Sequence, residues 1–289
     1  MKVALFLKEI RIEHTLFALP FAYVGAVLAA GGFPAWPALG WITLAVLGAR
    51  TAAMAANRYL DRDIDARNPR TARRAVASGT LAPATMLFAV AAGLLVLLWA
   101  AWMLNPLCVK LLPIAGIALL VYPLCKRFTW LAHFVLGGVD ALAPLGAYIG
   151  IAGRVTWPAV LLFLAVTVWV AGFDIIYALM DVPVDRAQGI KSLPARFGEG
   201  SARALPIVLH VSMLGLLAGA GFAAHAGWIY YVGVLAAAIL VLYEERLLRV
   251  AENVFVLNER VFVSNMAFSV VFLGTTVASY AAAAFGGTP

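Results

Sequence analysis

The sequence has few charged residues for its length. Only 12% of its 289 residues are charged, whereas 64% are hydrophobic and the mean hydropathy is +0.95. Soluble domains contain roughly 25% charged residues, so this composition excludes a soluble protein. Uncharged runs at 15–49, 75–109 and 261–289 exceed the roughly 20 residues that span a bilayer. The composition therefore predicts an all-α, polytopic membrane protein.

Cysteine and histidine are also scarce, which argues against a metal site built from them. Cys108 and Cys125 form no CxxC pair, and we interpret both as small apolar residues. The histidines are scattered along the chain, at His14, His133, His210 and His225. The net charge of +7 requires no nucleic acid to explain it, because cytoplasmic loops of membrane proteins collect Lys and Arg.

The apolar runs divide into nine predicted spans that form a single transmembrane domain over residues 1–289. The charged start of the chain, followed by a long apolar run, indicates an uncleaved first span rather than a removed signal peptide. Two four-helix halves, at about 1–125 and 126–245, plus a ninth helix are a possible subdivision. The predicted spans are 15–32, 38–57, 81–104, 107–125, 131–152, 156–178, 204–222, 226–243 and 261–285.

The basic residues predict an orientation. The N-terminal tail and the loops after spans two, four, six and eight contain 18 of the 21 Lys and Arg residues. By the positive-inside rule, the N-terminus is cytoplasmic and the C-terminus is outside. We therefore expect a multi-pass protein of the cell inner membrane whose polar loops face the cytoplasm.

Two acidic motifs stand out against this apolar background. Asn57, Asp61 and Asp65 are four residues apart, so they share one face of a helix. Asp174, Asp181 and Asp185 follow a similar pattern, although Pro183 is expected to unwind the last turn. The two DxxxD motifs indicate either duplication of a four-helix unit or functional convergence. Ionisable groups at the ends of membrane spans are usually functional.

The chemistry of these side chains predicts a magnesium-diphosphate site. Asp and Asn oxygens are hard ligands that suit Mg²⁺, which is commonly held together with substrate phosphates. Beside the membrane, this combination indicates a lipid diphosphate. The alternative is that the charges only form salt bridges and anchor the loops. The basic residues available for the phosphates are Arg67, Arg70, Arg73, Arg74, Lys126, Arg127, Lys191 and Arg196.

The motifs also carry a resemblance to a known family. The patterns NxxxDxxxD at 57–65 and DxxYAxxDxxxD at 174–185, with YPLCKRFTW at 122–130 and GIKSLPARFG at 189–198, resemble the UbiA superfamily of intramembrane aromatic prenyltransferases. The opening IRIEHTLFALPFAY at 10–23 is most similar to the 4-hydroxybenzoate polyprenyltransferase-like branch, which includes the prenyltransferase of the futalosine route to menaquinone. One departure is that Arg58 replaces the Asp that follows the Asn in many members.

The resemblance implies a function and roles for particular residues. A polyprenyl diphosphate would lose its diphosphate, and a small aromatic acid would capture the allylic cation, in ubiquinone or menaquinone biosynthesis. The implied metal ligands are Asn57, Asp61, Asp65, Asp181 and Asp185, with Asp174 either a proton acceptor or a residue that supports a ligand. The resemblance also implies that Lys126 and Arg127 contact the diphosphate, and Tyr177 lies inside the second motif. The chemistry of the residues adds Arg74, Tyr122 and Lys191 as candidates for substrate binding.

Arg50 lies within a span and on the face of Asn57, seven residues earlier. It could pair with the carboxylate of the aromatic substrate, as the resemblance also implies, or with Asp140 of another span. Tyr122 and Tyr177 could border a cation through their rings, or could simply pack. Gly137, Gly138, Gly146 and Gly150 could allow close helix packing or line a portal for the prenyl tail.

Other functions remain open at this level. Haem O synthase and the lipid-forming synthases share the fold and chemistry of the resembled family. A secondary transporter is a further alternative, because repeats and charges inside the membrane also mark transporters. Against it, the acidic residues cluster at the ends of spans rather than in their middle. Protein partners, prenyl chain length and the identity of the acceptor are not predicted.

Overall fold

The computed structural model describes residues 2–10, 15–250 and 253–285, and within these ranges it contains helices and no strands. A single 3-10 turn, Leu179–Asp181, lies between α7 and α8. The helices are α1 Lys2–Glu9, α2 Thr15–Ala30, α3 Trp36–Arg67, α4 Pro83–Leu104, α5 Pro106–Cys125, α6 Ala132–Ala152, α7 Trp157–Ala178, α8 Val182–Gln188, α9 Leu193–Phe197, α10 Glu199–Ala223, α11 Trp228–Val250 and α12 Val254–Phe285.

The length and composition of the helices confirm a polytopic membrane protein. In the described ranges, seven helices are long and apolar enough to cross a membrane, and Ala18–Ala30 is a shorter apolar helix. Each of the nine predicted spans overlaps one long helix, but nine crossings as such stay a prediction. Large apolar side chains such as Phe88, Trp102 and Phe222 are exposed on the surface, as expected where lipid is the solvent.

The largest buried cluster is built around α7. Trp169 of this helix is 1% exposed and packs with Phe21 of α2 at a ring-centroid distance of 4.8 Å. Met213 of α10 and Phe272 of α12 belong to the same cluster. The core thus combines helices from both predicted halves of the chain. The division into halves stays a prediction.

Small residues bring helices together at one point and leave space at another. A Cβ atom on Gly137 of α6 would lie 2.2 Å from the carbonyl oxygen of Thr167 on α7, so only glycine allows this approach. Gly146, two and a half turns further along α6, has no atom within 4 Å of such a position and borders a cavity. Gly137 therefore fits the close-packing alternative, and a portal for the prenyl tail at Gly146 stays a prediction.

Three helix ends place the polar side chains. α3 continues ten residues past the predicted end of its span, at 57, so the whole first acidic motif is helical. α7 ends at Ala178 and is followed by the 3-10 turn and then by α8, with Pro183 in its first turn. The α-helix is therefore interrupted just before Pro183 by the 3-10 turn, and Pro183 itself lies in a helix. We name the ends of α3, α5 and α7, together with the segments that follow them, the polar end.

Candidate active site

The first acidic motif is buried and neutralised by basic residues from two segments. Asp61 and Asp65 are 1% and 6% exposed. Lys126 Nζ, just after α5, lies 2.5 Å from Oδ2 of Asp61, and Arg74 Nη1 lies 2.8 Å from both oxygens of Asp65. Arg127 Nη2 is 3.7 Å from Oδ1 of Asp61. Buried carboxylates require such partners, since an uncompensated charge is costly away from water.

The second acidic motif is tied to the segment that follows the first. Arg70 binds Asp181 through two parallel contacts, Nε to Oδ1 at 2.9 Å and Nη2 to Oδ2, and Asn68 Nδ2 also donates to Oδ1 at 2.9 Å. Burial works against the charge of Arg70, but the hydrogen bond and attraction of Asp181 outweigh it and raise the pKa of the guanidinium. The structure therefore brings the two predicted polar stretches into direct contact.

Asp185 lies beside the loop that precedes α9. Ser192 Oγ donates to its Oδ2 at 2.8 Å, and its backbone oxygen accepts from the amide of Ile190 at 2.9 Å. The amide of Lys191 donates to the carbonyl oxygen of Lys126 at 2.7 Å. The GIKSLPARFG segment is thus connected to the KR pair after α5, and all three basic loops converge on one site.

Some predicted residues have partners other than the acidic motifs. Asn57 accepts a hydrogen bond from Arg58 Nη1 at 3.2 Å. Lys191 Nζ donates to the carbonyl oxygen of Phe128 at 3.2 Å, and Arg127 Nη2 to that of Leu60 at 2.5 Å. The ring of Tyr177 lies 5.8 Å from the guanidinium carbon of Arg70, so this tyrosine borders the site through a cation–π contact.

Arg50 is paired with Asp140 at a cavity in the bundle. Its Nη1 lies 2.9 Å from Asp140 Oδ1, and its buried Nε has no hydrogen-bond partner among the described residues. The cavity has a volume of about 260 Å³. Its lining comes mainly from α3, α4, α5 and α6 and is apolar apart from Arg50, Asp140, Tyr122 and Cys108. Arg50 is therefore paired with Asp140, and the pair lies in the wall of an apolar chamber.

Four residues that contribute to the site were not predicted from the sequence. His133 binds Asp174, with 2.6 Å between Nδ1 and Oδ2, and Glu9 Oε2 accepts from the amide of Ala75 at 3.0 Å. Asn68 and Ser192 bind the second acidic motif, as described above. Ser192 lies inside the GIKSLPARFG motif, and Asn68 lies three residues after the first acidic motif. For His133 and Glu9, nothing in sequence spacing signals the contact, because their partners are distant along the chain.

The donor set suits a hard metal ion, although its members are not gathered as one cluster. In the described ranges, no group of three or more His, Cys, Asp or Glu residues is arranged to hold a metal. The carboxylates contact their own basic neighbours instead. Oδ1 of Asp61, however, is buried and accepts no hydrogen bond from the described residues, although Arg127 forms an ion pair with it. An all-oxygen donor set with such a carboxylate oxygen fits Mg²⁺ in its chemistry.

These features define a class of protein: a helical membrane protein whose acidic and basic side chains meet at the ends of helices that also line an apolar chamber. The comparison with known sequences gives the family. The chain belongs to the UbiA prenyltransferase family, whose model matches residues 18–265. The resemblance expected from the motifs is thus confirmed. Residues 11–14 of the 10–23 motif lie outside the described ranges.

Individual relatives cover most of the chain. It is 33% identical over 261 residues to a 4-hydroxybenzoate octaprenyltransferase of Shewanella sediminis, covering 87% of this chain and 89% of the relative. It is similar to the apo structure of a UbiA homolog from Aeropyrum pernix K1, at 31% identity and a TM-score of 0.84, over 92% of this chain and 98% of that one. A UbiA homolog from Archaeoglobus fulgidus bound to GPP and Mg²⁺ shares the fold, at 19% identity and a TM-score of 0.71, over 95% and 99% of the two chains.

Proposed function

We propose that this protein transfers a polyprenyl group from a polyprenyl diphosphate to a small aromatic acid, with Mg²⁺, in ubiquinone or menaquinone biosynthesis. One observation carries the proposal: paired acidic and basic side chains lie at and just after the ends of α3 and α5, and the same two helices line an apolar chamber whose wall includes Arg50 and Tyr122. A substrate with a charged diphosphate and a long apolar tail requires this combination. The family and the name of the Shewanella relative support it.

The acidic and basic side chains have separate roles toward the diphosphate. Asn57, Asp61, Asp65, Asp181 and Asp185 would hold Mg²⁺, which when bound supplies Lewis-acid stabilisation of the departing diphosphate. The basic partners now neutralise carboxylates, and they would turn to phosphate oxygens when the diphosphate binds. These partners are Arg70, Arg74, Lys126 and Arg127. As the C–O bond breaks, they would stabilise the charge that develops on the leaving group.

The chamber supplies the remaining two requirements. Its apolar lining excludes water, which would otherwise capture the allylic cation. Arg50 would bind the carboxylate of the aromatic acid through a charge-assisted hydrogen bond, for which its unpartnered Nε is available. The rings of Tyr122 and Tyr177 would border the cation. The apolar side chains of α3, α4, α5 and α6 that line the chamber would accommodate the prenyl tail.

Two substrate classes follow for the acceptor, 4-hydroxybenzoate and a dihydroxynaphthoate. The relatives named 4-hydroxybenzoate octaprenyltransferase favour the former. The distribution of basic residues supports a cytoplasmic N-terminus, an outside C-terminus and a polar end that faces the cytoplasm of the cell. Water-soluble aromatic acids would then reach the site from the cytoplasm, and the polyprenyl chain would enter from the bilayer.

The test is prenyl transfer by the purified protein in detergent. Geranyl diphosphate would be supplied with either 4-hydroxybenzoate or 1,4-dihydroxy-6-naphthoate, each in Mg²⁺ or in EDTA. Metal-dependent product with one acid is expected, and it identifies the quinone pathway. Absence of product with both acids, from folded protein that binds the diphosphate, would redirect the search to another acceptor of the same family. Failure to bind the diphosphate would contradict the prenyltransferase proposal.

A further inference from the structure

His133 on α6 contacts both Asp174 near the end of α7 and Leu193 at the start of α9. None of the sequence motifs accounts for these contacts. Its Nδ1 lies 2.6 Å from Oδ2 of Asp174 on α7, and its Nε2 lies 3.2 Å from the backbone nitrogen of Leu193 at the start of α9. A backbone N–H can only donate, so Nε2 must accept this hydrogen bond. The ring proton therefore lies on Nδ1, and His133 donates to Asp174.

The two side chains differ in burial. This difference suits a positioning role for His133 and contact with the substrate for Asp174. The imidazole of His133 is 6% exposed, whereas the carboxylate of Asp174 is 27% exposed. Among the described residues, only Oδ2 of Asp174 has a hydrogen-bond partner. The enclosed ring thus fixes one carboxylate oxygen and leaves Oδ1 without a hydrogen bond to the described residues.

Asp174 lies on α7, one turn before the helix ends at Ala178. Its partner His133 lies on α6, the helix that carries Asp140 of the chamber wall, and contacts Leu193, the residue after the Ser192 that binds Asp185. Asp181, in contrast, follows Asp174 by seven residues and lies beyond the end of α7, in the 3-10 turn. Asp174 is thus the acidic residue of the second motif that lies within α7, and we take it as the one that meets the aromatic ring.

We propose that His133 is a positioning residue that holds Asp174 as the acceptor of the proton lost by the aromatic ring; this inference rests on the proposed function. The C–O bond of the donor breaks with its electron pair on the diphosphate, and a ring carbon supplies the π electrons of the new C–C bond. The same carbon then loses its proton to Oδ1 of Asp174. The electrons of the C–H bond restore the aromatic ring, so no oxidant or reductant is required.

The geometry assigns His133 a specific contribution to this step. A carboxylate at the end of a rotatable side chain must be aimed at the ring carbon, and a fixed donor on Oδ2 removes that freedom. The Leu193 contact fixes the imidazole in turn. The GIKSLPARFG loop, which also carries the Ser192 partner of Asp185, thereby sets the orientation of the proton acceptor.

The test compares three variants with an acceptor deuterated at the carbon that takes the prenyl group. His133→Gln can keep both hydrogen bonds through its amide, His133→Leu removes both, and Asp174→Asn removes the proton acceptor while keeping a partner for His133. We expect kcat to fall about 10- to 100-fold in His133→Leu, a part of what a general base contributes. The KM for the prenyl diphosphate should stay unchanged, and His133→Gln should retain most of the activity.

The isotope effect distinguishes positioning from mere structural support. Slow proton removal should give a primary isotope effect in His133→Leu and Asp174→Asn that is larger than in the wild type. Equal isotope effects in all proteins, or a loss in His133→Gln as large as in His133→Leu, would overturn the inference. If His133→Leu does not fold, Asp174→Asn and His133→Gln still decide. An inactive wild-type protein would instead refute the proposed function.

Discussion

Nη1 of Arg50 lies 2.9 Å from Oδ1 of Asp140, across the wall of an apolar chamber. The side chains are 17% and 18% exposed. In these mostly buried positions each charge is stabilised by the other, because too little water reaches either side chain to solvate it in place of its partner. Under the proposed function, an incoming aromatic carboxylate would share Arg50 with Asp140. We therefore expect Asp140 to influence acceptor binding directly.

Asp140→Asn should lower the KM for the aromatic acid. The amide still accepts a hydrogen bond from Arg50 but leaves its positive charge for the substrate. We expect an effect on the order of tenfold, or about 1.4 kcal/mol in binding. Steady-state kinetics with the acceptor as the varied substrate measures it. The KM for the prenyl diphosphate serves as the internal control, and an unchanged acceptor KM would show that Asp140 does not compete.

Arg50→Ala should weaken binding of the aromatic acid more than that of the diphosphate. It should also destabilise the protein, since removing one partner of a buried pair leaves an uncompensated charge and costs about 3–5 kcal/mol. The double variant Arg50→Ala/Asp140→Asn should recover most of that stability without recovering acceptor binding. Thermal unfolding in detergent and acceptor titration separate the two effects. Equal loss of affinity for both substrates would contradict the role of Arg50.

Asp61→Asn and Asp181→Asn should abolish turnover while leaving the protein inserted and folded. The amide keeps the size and a hydrogen-bond acceptor for Lys126 or Arg70 but lacks the charge that a divalent ion requires. Asp63→Asn is the matched control, because Asp63 lies on the same helix as Asp61 but is 72% exposed. Its ion pair with the neighbouring Arg62 is long, at 3.8 Å. Activity of purified variants at saturating substrate decides, and turnover near that of the control would refute the assignment.

Local patterns predicted the helices and the acidic motifs but not the pairing of charges across the fold. Hydropathy and helical spacing are local properties, so the spans and the face shared by Asp61 and Asp65 could be read directly. The partner of Asp174 could not, since His133 is 41 residues away and its position depends on how α6 packs against α7. Arg50 shows the intermediate case. Both of its possible partners were foreseen, and only the packing of α3 and α6 shows Asp140 in contact.

Mg²⁺ and inorganic diphosphate together should raise the unfolding temperature more than either does alone. The acidic side chains are already neutralised by Arg70, Arg74 and Lys126, so a metal alone must displace a cation without giving it a new partner. When diphosphate binds as well, the freed basic groups gain phosphate oxygens. At 100 times the dissociation constant, such binding adds about 2.7 kcal/mol. A shift equally large with Mg²⁺ alone, or one that persists in Arg70→Gln, would contradict this exchange of partners.

Gly146→Leu should shorten the prenyl chains that the protein accepts. A Cβ at this position meets no atom within 4 Å, and Gly146 lines the chamber, so the new side chain would occupy the space proposed for the tail rather than disturb helix packing. We expect kcat/KM for a long polyprenyl diphosphate to fall about tenfold or more relative to geranyl diphosphate, as for a misfit of a few methylene groups in an apolar pocket. Gly116→Leu is the control, because Gly116 on α5 has equally open space but lies outside the chamber lining. Parallel assays with both donors measure the ratio. An unchanged ratio in Gly146→Leu, or the same change in Gly116→Leu, would show that the tail lies elsewhere. Only if the chamber holds the tail should the preferred chain length depend on Gly146 and not on Gly116.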